Sequence, residues 1–147
     1  MGKPQFKEIL SSTFDNMVSM YSLKEERDLR KSLPADITIN EVKILYAIVS
    51  SKSRPTPTIV AKKLNVTKGT LTTNIDKLVN KGYVVRMVSG SDARVTYLIL
   101  TKDGKEAVAI YQEFHDSFID AVDKKLDPYE KSLLLIALSK IEDVLYE

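Results

Sequence analysis

Thr56-Pro57-Thr58-Ile59-Val60-Ala61-Lys62-Lys63-Leu64-Asn65-Val66-Thr67-Lys68-Gly69-Thr70-Leu71-Thr72-Thr73-Asn74-Ile75-Asp76-Lys77-Leu78-Val79-Asn80-Lys81-Gly82 is the stretch on which the fold turns. It holds two helices. Thr56 stands where a side-chain oxygen can cap the first, with Pro57 at the first helical position, where a missing N–H costs nothing. Asn65-Val66-Thr67 forms a three-residue turn. Thr67 can then cap the second helix, and Gly82 can close it in a left-handed conformation. Leu71, Ile75 and Leu78 share one stripe of that helix and should face a core, whereas Lys68, Gly69, Thr70, Thr72, Thr73, Asn74 and Lys77 are small, polar or basic.

Downstream, residues 84–88 and 95–100 are rich in β-branched side chains, with the turn-forming run Ser89-Gly90-Ser91-Asp92-Ala93-Arg94 between them, so they read as a hairpin. Two helices joined by a short turn and followed by a hairpin outline a winged helix-turn-helix, which reads duplex DNA. A helix entering a major groove must be braced by another at a fixed angle. On this reading the face opposite the apolar stripe meets the groove. Gly69 and Thr70 permit close approach. Thr72 and Thr73 offer a hydroxyl to a base or a methyl to thymine, and Asn74 suits adenine if its rotation allows. Lys68 and Lys77 are placed to hold phosphates. Arg94, on a thin loop, suits a narrow minor groove. Asp92 either orients it through a bidentate pair or makes a surface ion pair of small worth with it. Arg86 either touches backbone phosphate or is solvated. The bland alternative for the second helix, a solvated threonine-rich face, does not account for the adjoining helix, turn and hairpin.

Working outward, a helix is expected over about residues 5–31. Phe6, Ile9, Leu10, Phe14, Met17, Val18 and Tyr21 recur at three- and four-residue steps, and Leu33-Pro34-Ala35-Asp36 ends the run. Thr38 and Glu41 have capping-box spacing. The following helix shows Val42, Leu45, Tyr46 and Val49 on one face and Ile44 and Ile48 beside it, which implies burial on more than one side. Thr101 can cap a fifth helix carrying Ala107, Ile110, Tyr111, Phe114, Phe118, Ala121 and Val122. Asp127-Pro128-Tyr129-Glu130 starts a sixth, whose leucine-rich face is too broad for one core contact. The whole chain, 1–147, reads as one mainly α domain with a small β-hairpin wing: a DNA-binding core at 38–104 and long helices at 5–31 and 102–146. Those outer helices carry more apolar surface than a monomer needs, and a homodimer would bury it.

Composition narrows the function. The net charge of +2 conceals a partition: residues 52–102 carry ten Lys/Arg against Asp76 and Asp92 (+8), residues 1–51 balance, and residues 103–147 sum to −6. Positive charge thus gathers in the segment expected to touch phosphate, which disfavours a winged helix that binds only protein. There is no cysteine and a single histidine, His115. Thiol redox sensing is excluded, and no metal centre or cofactor is expected. The chain holds no phosphate-cradling glycine loop and no Ser/His/Asp arrangement, so an enzyme is not expected. No apolar run is long enough to span a membrane and the amino terminus lacks the apolar core of a secretion signal, so a cytoplasmic protein is expected.

Asp92-x-Arg94-x-x-x-Leu98-x-Leu100-Thr101-x-x-Gly104 resembles the wing signature of the MarR family of transcriptional regulators. Pro57-x-x-Val60-Ala61-x-x-Leu64-x-Val66-Thr67 and Leu78-x-x-x-Gly82-Tyr83-Val84 resemble that family's helix-turn-helix, and the likeness covers nearly the whole chain. It implies a homodimer built from the first, fifth and sixth helices, with two recognition helices in successive major grooves of a palindromic operator. Val66-Thr67-x-Gly69-Thr70-x-Thr72-Thr73 and Gln112-x-Phe114-His115-x-Ser117 are similar to the FabT-type branch, which represses fatty-acid synthesis genes. That narrower resemblance implies acyl carrier protein bearing a long acyl chain as corepressor. The alternative within the family is a repressor released from DNA by a small lipophilic or phenolic effector. The wing tip departs from the pattern: Ser89-Gly90-Ser91 carries no basic residue, which leaves minor-groove contact mostly to Arg94. Some relatives sense zinc through clustered histidines, which this chain lacks. Phe14, Met17, Tyr21, Phe114, His115 and Phe118 are candidates to line an acyl or small-molecule pocket, since flexible methionine and aromatic walls suit an acyl chain. The competing reading is that they are packed interface residues.

Overall fold

The computed structural model describes residues 2–52 and 54–147; Met1, and Ser53 in the loop-like stretch 50–55, lie outside the described residues. The elements run α1 (Lys3–Arg30), α2 (Ile39–Val49), α3 (Pro57–Leu64), α4 (Lys68–Asn80), β1 (Val84–Val88), β2 (Thr96–Leu100), α5 (Lys102–Lys125) and α6 (Pro128–Tyr146). They fall into two compact units that divide within α5, one ending at Gln112 and one spanning Glu113–Glu147.

The first unit is the winged helix-turn-helix with α1 and the start of α5. Its helices begin where local chemistry dictates. The Thr38 side chain accepts the Glu41 N–H at 3.1 Å, and the Glu41 carboxylate accepts the Thr38 N–H at 2.9 Å, a complete capping box. Thr56 caps α3, Thr67 caps α4, and Thr101 accepts the Gly104 N–H at 3.1 Å at the head of α5. Leu71, Ile75 and Leu78 of α4 are fully buried with Leu45 and Val42 of α2, Val60 of α3, Val84 of β1 and Leu98 of β2. Each such side chain contributes ~1.5–3 kcal/mol. The α2 helix is buried on two sides, as its composition suggests, but Val49 is exposed. It is the last residue of the helix, beyond the buried Ala47 and Ile48.

The sheet is an antiparallel hairpin with Val84 opposite Leu100 and Val88 opposite Thr96. The Leu98 N–H donates to the Pro55 carbonyl at 2.8 Å, so the loop before α3 borders β2. Tyr83, buried just after α4, donates its phenol to Asp36 at 2.6 Å. Burial first, then that hydrogen bond and the charge of Asp36, push its pKa up to about 12. Along α1, Glu25 and Leu29 are buried, while Phe6, Ile9, Leu10, Phe14, Met17 and Val18 are all exposed.

The second unit holds the end of α5 and α6. Asp127 and Glu130 form a second complete capping box, and Lys131 pairs with Asp123 at 2.8 Å across the turn. No α6 residue is buried. Leu135 is 68% exposed and Leu145 75%, with Leu133, Ile136, Leu138 and Val144 also open.

Candidate nucleic-acid interface

The turn between α3 and α4 is the expected three residues, Asn65-Val66-Thr67. Asn65 takes a left-handed conformation (φ 54°, ψ 44°) and ends α3, with the Val66 N–H returning to the Ala61 carbonyl at 3.0 Å. Asparagine is the side-chain-bearing residue that tolerates this region best, and it stands in place of the usual glycine. Thr67 follows as cap, so three residues separate α3 from α4.

At the start of α4, Lys68, Gly69 and Thr70 are exposed, with no acid in the first turn. The helix N-terminus therefore presents backbone N–H groups and positive dipole beside a lysine, an arrangement suited to phosphate. Gly69 has open space around it, with nothing within 4 Å of where a Cβ would lie. Thr72, Thr73 and Lys77 are exposed on the side away from the buried stripe. The Thr72 and Thr73 hydroxyls donate back to the carbonyls of Lys68 (2.8 Å) and Gly69 (3.2 Å). Each still has accepting lone pairs and a methyl to present. Asn74 is half-buried, nearer the stripe than the groove-facing side, and its amide donates to the Thr70 carbonyl at 3.1 Å.

In the wing, Arg94 is 94% exposed. Asp92 does not hold it in a bidentate pair. Its carboxylate accepts the Arg94 backbone N–H at 3.0 Å, while the guanidinium Nε lies 3.7 Å away. The carboxylate thus shapes the loop and leaves the guanidinium outside. Arg86 is not simply solvated, since its side chain is only 36% exposed. Its guanidinium donates to Asp76 on α4 and ties the wing to that helix. Both acids of the +8 segment are therefore spent on wing arginines. The sequence signal for the second pair was present, since Asp76 is an isolated acid in a basic segment. Residues not foreseen also brace the site. Lys63 of α3 donates to the carbonyl and hydroxyl of Ser50, both at 2.8 Å, and Lys81 bonds Glu41. Arg54 stacks on Tyr97 at 5.5 Å.

The candidate ligand residues fall in separate units. Phe14, Met17 and Tyr21 follow one face of α1, with Tyr21 half-buried; Phe114, His115 and Phe118 share a face of α5 in the second unit and are half-buried. His115 Nδ1 lies 3.9 Å from Asp116. Burial, then the charge of Glu25, raise the pKa of Tyr21.

A short helix pair presenting an exposed basic and threonine-rich helix, followed by a hairpin with a projecting arginine, defines a winged helix-turn-helix protein. A MarR-family model matches residues 35–95. The HTH-type transcriptional repressor YetL of Bacillus subtilis (strain 168) is 30% identical over 135 residues, 91% of this chain and 78% of its own. The multiple antibiotic resistance protein MarR of Escherichia coli (strain K12) is 34% identical over 111 residues, 75% of this chain and 73% of its own. The solved structure of Streptococcus pneumoniae FabT in complex with DNA superposes with a TM-score of 0.81 at 31% identity, covering 99% of this chain and 98% of that one. The chain belongs to the MarR family: it is a DNA-binding transcriptional regulator and not an enzyme. Among the described residues, no helix is long and apolar enough to cross a membrane.

Proposed function

We propose that the protein is a homodimeric repressor that reads a palindromic operator through Lys68, Gly69, Thr70, Thr72, Thr73 and Lys77, with Arg94 in the adjoining minor groove. Asp92 and Arg86 set the wing that carries Arg94. The observation carrying this reading is the exposed face of α4, basic and small at its N-terminus, in a segment of charge +8. The S. pneumoniae FabT structure, a complex with DNA, supports it. The open apolar faces of α1 and α6 support the dimer, because leucines as exposed as Leu135 and Leu145 are what a partner copy would cover. Two copies would set their reading helices one DNA turn, ~34 Å, apart. Working on DNA places the protein in the cytoplasm.

The FabT-like segments at 66–73 and 112–117 favour control of fatty-acid synthesis genes, with long-chain acyl carrier protein raising DNA affinity. Either set of candidate residues, Phe14, Met17 and Tyr21 on α1 or Phe114, His115 and Phe118 on α5, would then face the acyl chain. By linkage, operator must raise acyl-carrier affinity by the same factor.

Fluorescence anisotropy on an operator panel tests both levels. Operator affinity should fall steeply with salt, as for ~6–10 phosphates released per dimer. Arg94→Ala should weaken binding and lessen the salt slope by about one with the fold intact. Binding that ignores salt, or prefers no sequence, refutes the DNA reading. An unchanged isotherm on adding long-chain acyl carrier protein refutes the corepressor and leaves release by a small lipophilic effector as the second reading.

A further inference from the structure

We infer that the ion pair between solvent-exposed Lys81 and buried Glu41 is a positioning contact: it fixes the angle of α4 against α2, and thereby which sequences and half-site spacings the reading helices accept. This rests on the DNA-reading function proposed above. Lys81 is the C-cap of α4, at the opposite end from Lys68, Gly69 and Thr70. Its ammonium donates to Glu41 Oε2 at 2.9 Å and Oε1 at 3.0 Å. Glu41 sits in the first turn of α2 and is only 5% exposed. The two residues lie 40 apart in sequence, so the contact is a property of how the helices cross.

Glu41 has another duty, since Oε2 also accepts the Thr38 N–H that closes the capping box. That duty does not require a charge, because glutamine meets it equally well. A buried carboxylate is costly unless paired, and a pair whose lysine stays open to water adds little net stability. What such a pair supplies is direction. The buried stripe Leu71, Ile75 and Leu78 holds α4 to the core, but apolar contact is non-directional and permits tilt. Below the helix, Gly82 takes φ +84° and its carbonyl accepts the Thr101 hydroxyl at 2.6 Å, which fixes the backbone leaving α4. The Lys81–Glu41 pair fixes α4 itself against α2. The lever is long: Gly69 lies twelve residues from Lys81, ~18 Å at 1.5 Å per residue, so a tilt of ~10° moves it by ~3 Å. That is a full hydrogen-bond length at the face meant to meet base edges.

The competing role for Lys81 is one more phosphate contact, and Glu41→Gln separates the two. It keeps the cap, keeps the lysine and raises the net charge by one. A phosphate-contact role predicts that Glu41→Gln tightens operator and random DNA alike. Positioning predicts that Glu41→Gln and Lys81→Met both lower the ratio of operator to random-DNA affinity by about tenfold, comparable to one lost bidentate base contact. Under positioning, Lys81→Arg retains the ratio, and Glu41→Gln leaves the salt slope unchanged. Equal changes on operator and random DNA, or an unchanged ratio, overturn the inference. Hydrogen exchange on the DNA-free protein supplies a readout independent of any operator. Glu41→Gln should speed exchange of the Lys81 amide, which closes the last turn of α4 on Lys77. Unchanged exchange there also overturns the inference. Absence of operator preference in the unaltered protein instead refutes the DNA reading itself, while the exchange result still decides whether the pair restrains α4.

Discussion

Replacing Gly104 by alanine sets a methyl group 2.2 Å from the carbonyl oxygen of Tyr83, with Leu100 Cγ at 3.2 Å and Cβ at 3.3 Å. Reaching even 3.0 Å requires the two backbones to part by 0.8 Å, and no flexible side chain can absorb that shift. The Tyr83 carbonyl accepts the Thr101 N–H at 3.0 Å, while the Tyr83 phenol is held by Asp36 at 2.6 Å. Moving the carbonyl stretches the first bond beyond hydrogen-bond range. The lost bond costs ~1 kcal/mol and the overpacking ~1–3 kcal/mol, offset by a propensity gain of at most ~1 kcal/mol. A net loss of ~2 kcal/mol corresponds to a fall in Tm of about 4–8 °C for a chain of this size. Gly69 is the internal control. It too lies in the first turn of a helix, but a Cβ there meets nothing within 4 Å. Gly69→Ala should therefore stabilise by ~0.4–1 kcal/mol through the unfolded chain, while placing a methyl on the face proposed to meet DNA. Thermal melts and urea titrations at matched protomer concentration make the comparison, since dimerisation makes Tm depend on concentration. A Gly104→Ala protein as stable as the parent would refute the assigned contact between the α5 start and the Tyr83 backbone.

Tyr83 and Tyr111 both have pKa values pushed up to about 12, chiefly by burial. Because the folded values exceed the unfolded one of ~10, the stability these phenols contribute is whole below that pH and is lost as pH climbs toward 12. Phenolate absorbance should then still be rising as pH approaches 12, that last rise accompanying loss of helical circular dichroism, and Tyr83→Phe should shrink it. A single wave near the ordinary value, with helix content intact, would contradict this. Asp76→Asn removes the carboxylate that holds Arg86, so affinity for random DNA should increase and the salt slope should steepen by about one. An unchanged slope would show that Arg86 is not restrained by Asp76 alone.

What could be read from the sequence is what local chemistry decides. Thr38, Thr56, Thr67, Thr101 and Asp127 all cap helices as their spacing indicated, because a cap needs only residues within three positions. Leu71, Ile75 and Leu78 were legible for the same reason, and Gly82 closes α4 with the expected positive φ. The crossings were not legible. Tyr83 with Asp36, Lys81 with Glu41 and Lys43 with Glu25 join residues far apart in sequence, and no periodicity announces such pairs. Val49 fits the apolar face of α2 by spacing yet emerges at the helix end, since burial depends on what the neighbouring elements cover. At the interface, spacing identified the exposed side of α4 but not the inward lean of Asn74 or the attachment of Arg86 to α4.

The two wing arginines show how placement of a few acids divides labour in a basic segment. Arg86 and Arg94 carry the same guanidinium, and each has a carboxylate nearby, yet their exposures are 36% and 94%. The difference lies in what each carboxylate accepts. Asp76 takes a guanidinium N–H, so Arg86 becomes a strut between β1 and α4. Asp92 takes a backbone N–H, which costs the Arg94 side chain nothing and shapes the loop that projects it. With no lysine or arginine at Ser89-Gly90-Ser91, the wing then has one projecting cation on a hairpin braced against the reading helix. A rigid mount with a single charged tip suits registration of a helix in its groove better than bulk phosphate attraction. Under the proposed function the latter would fall to Lys68 and Lys77 of α4.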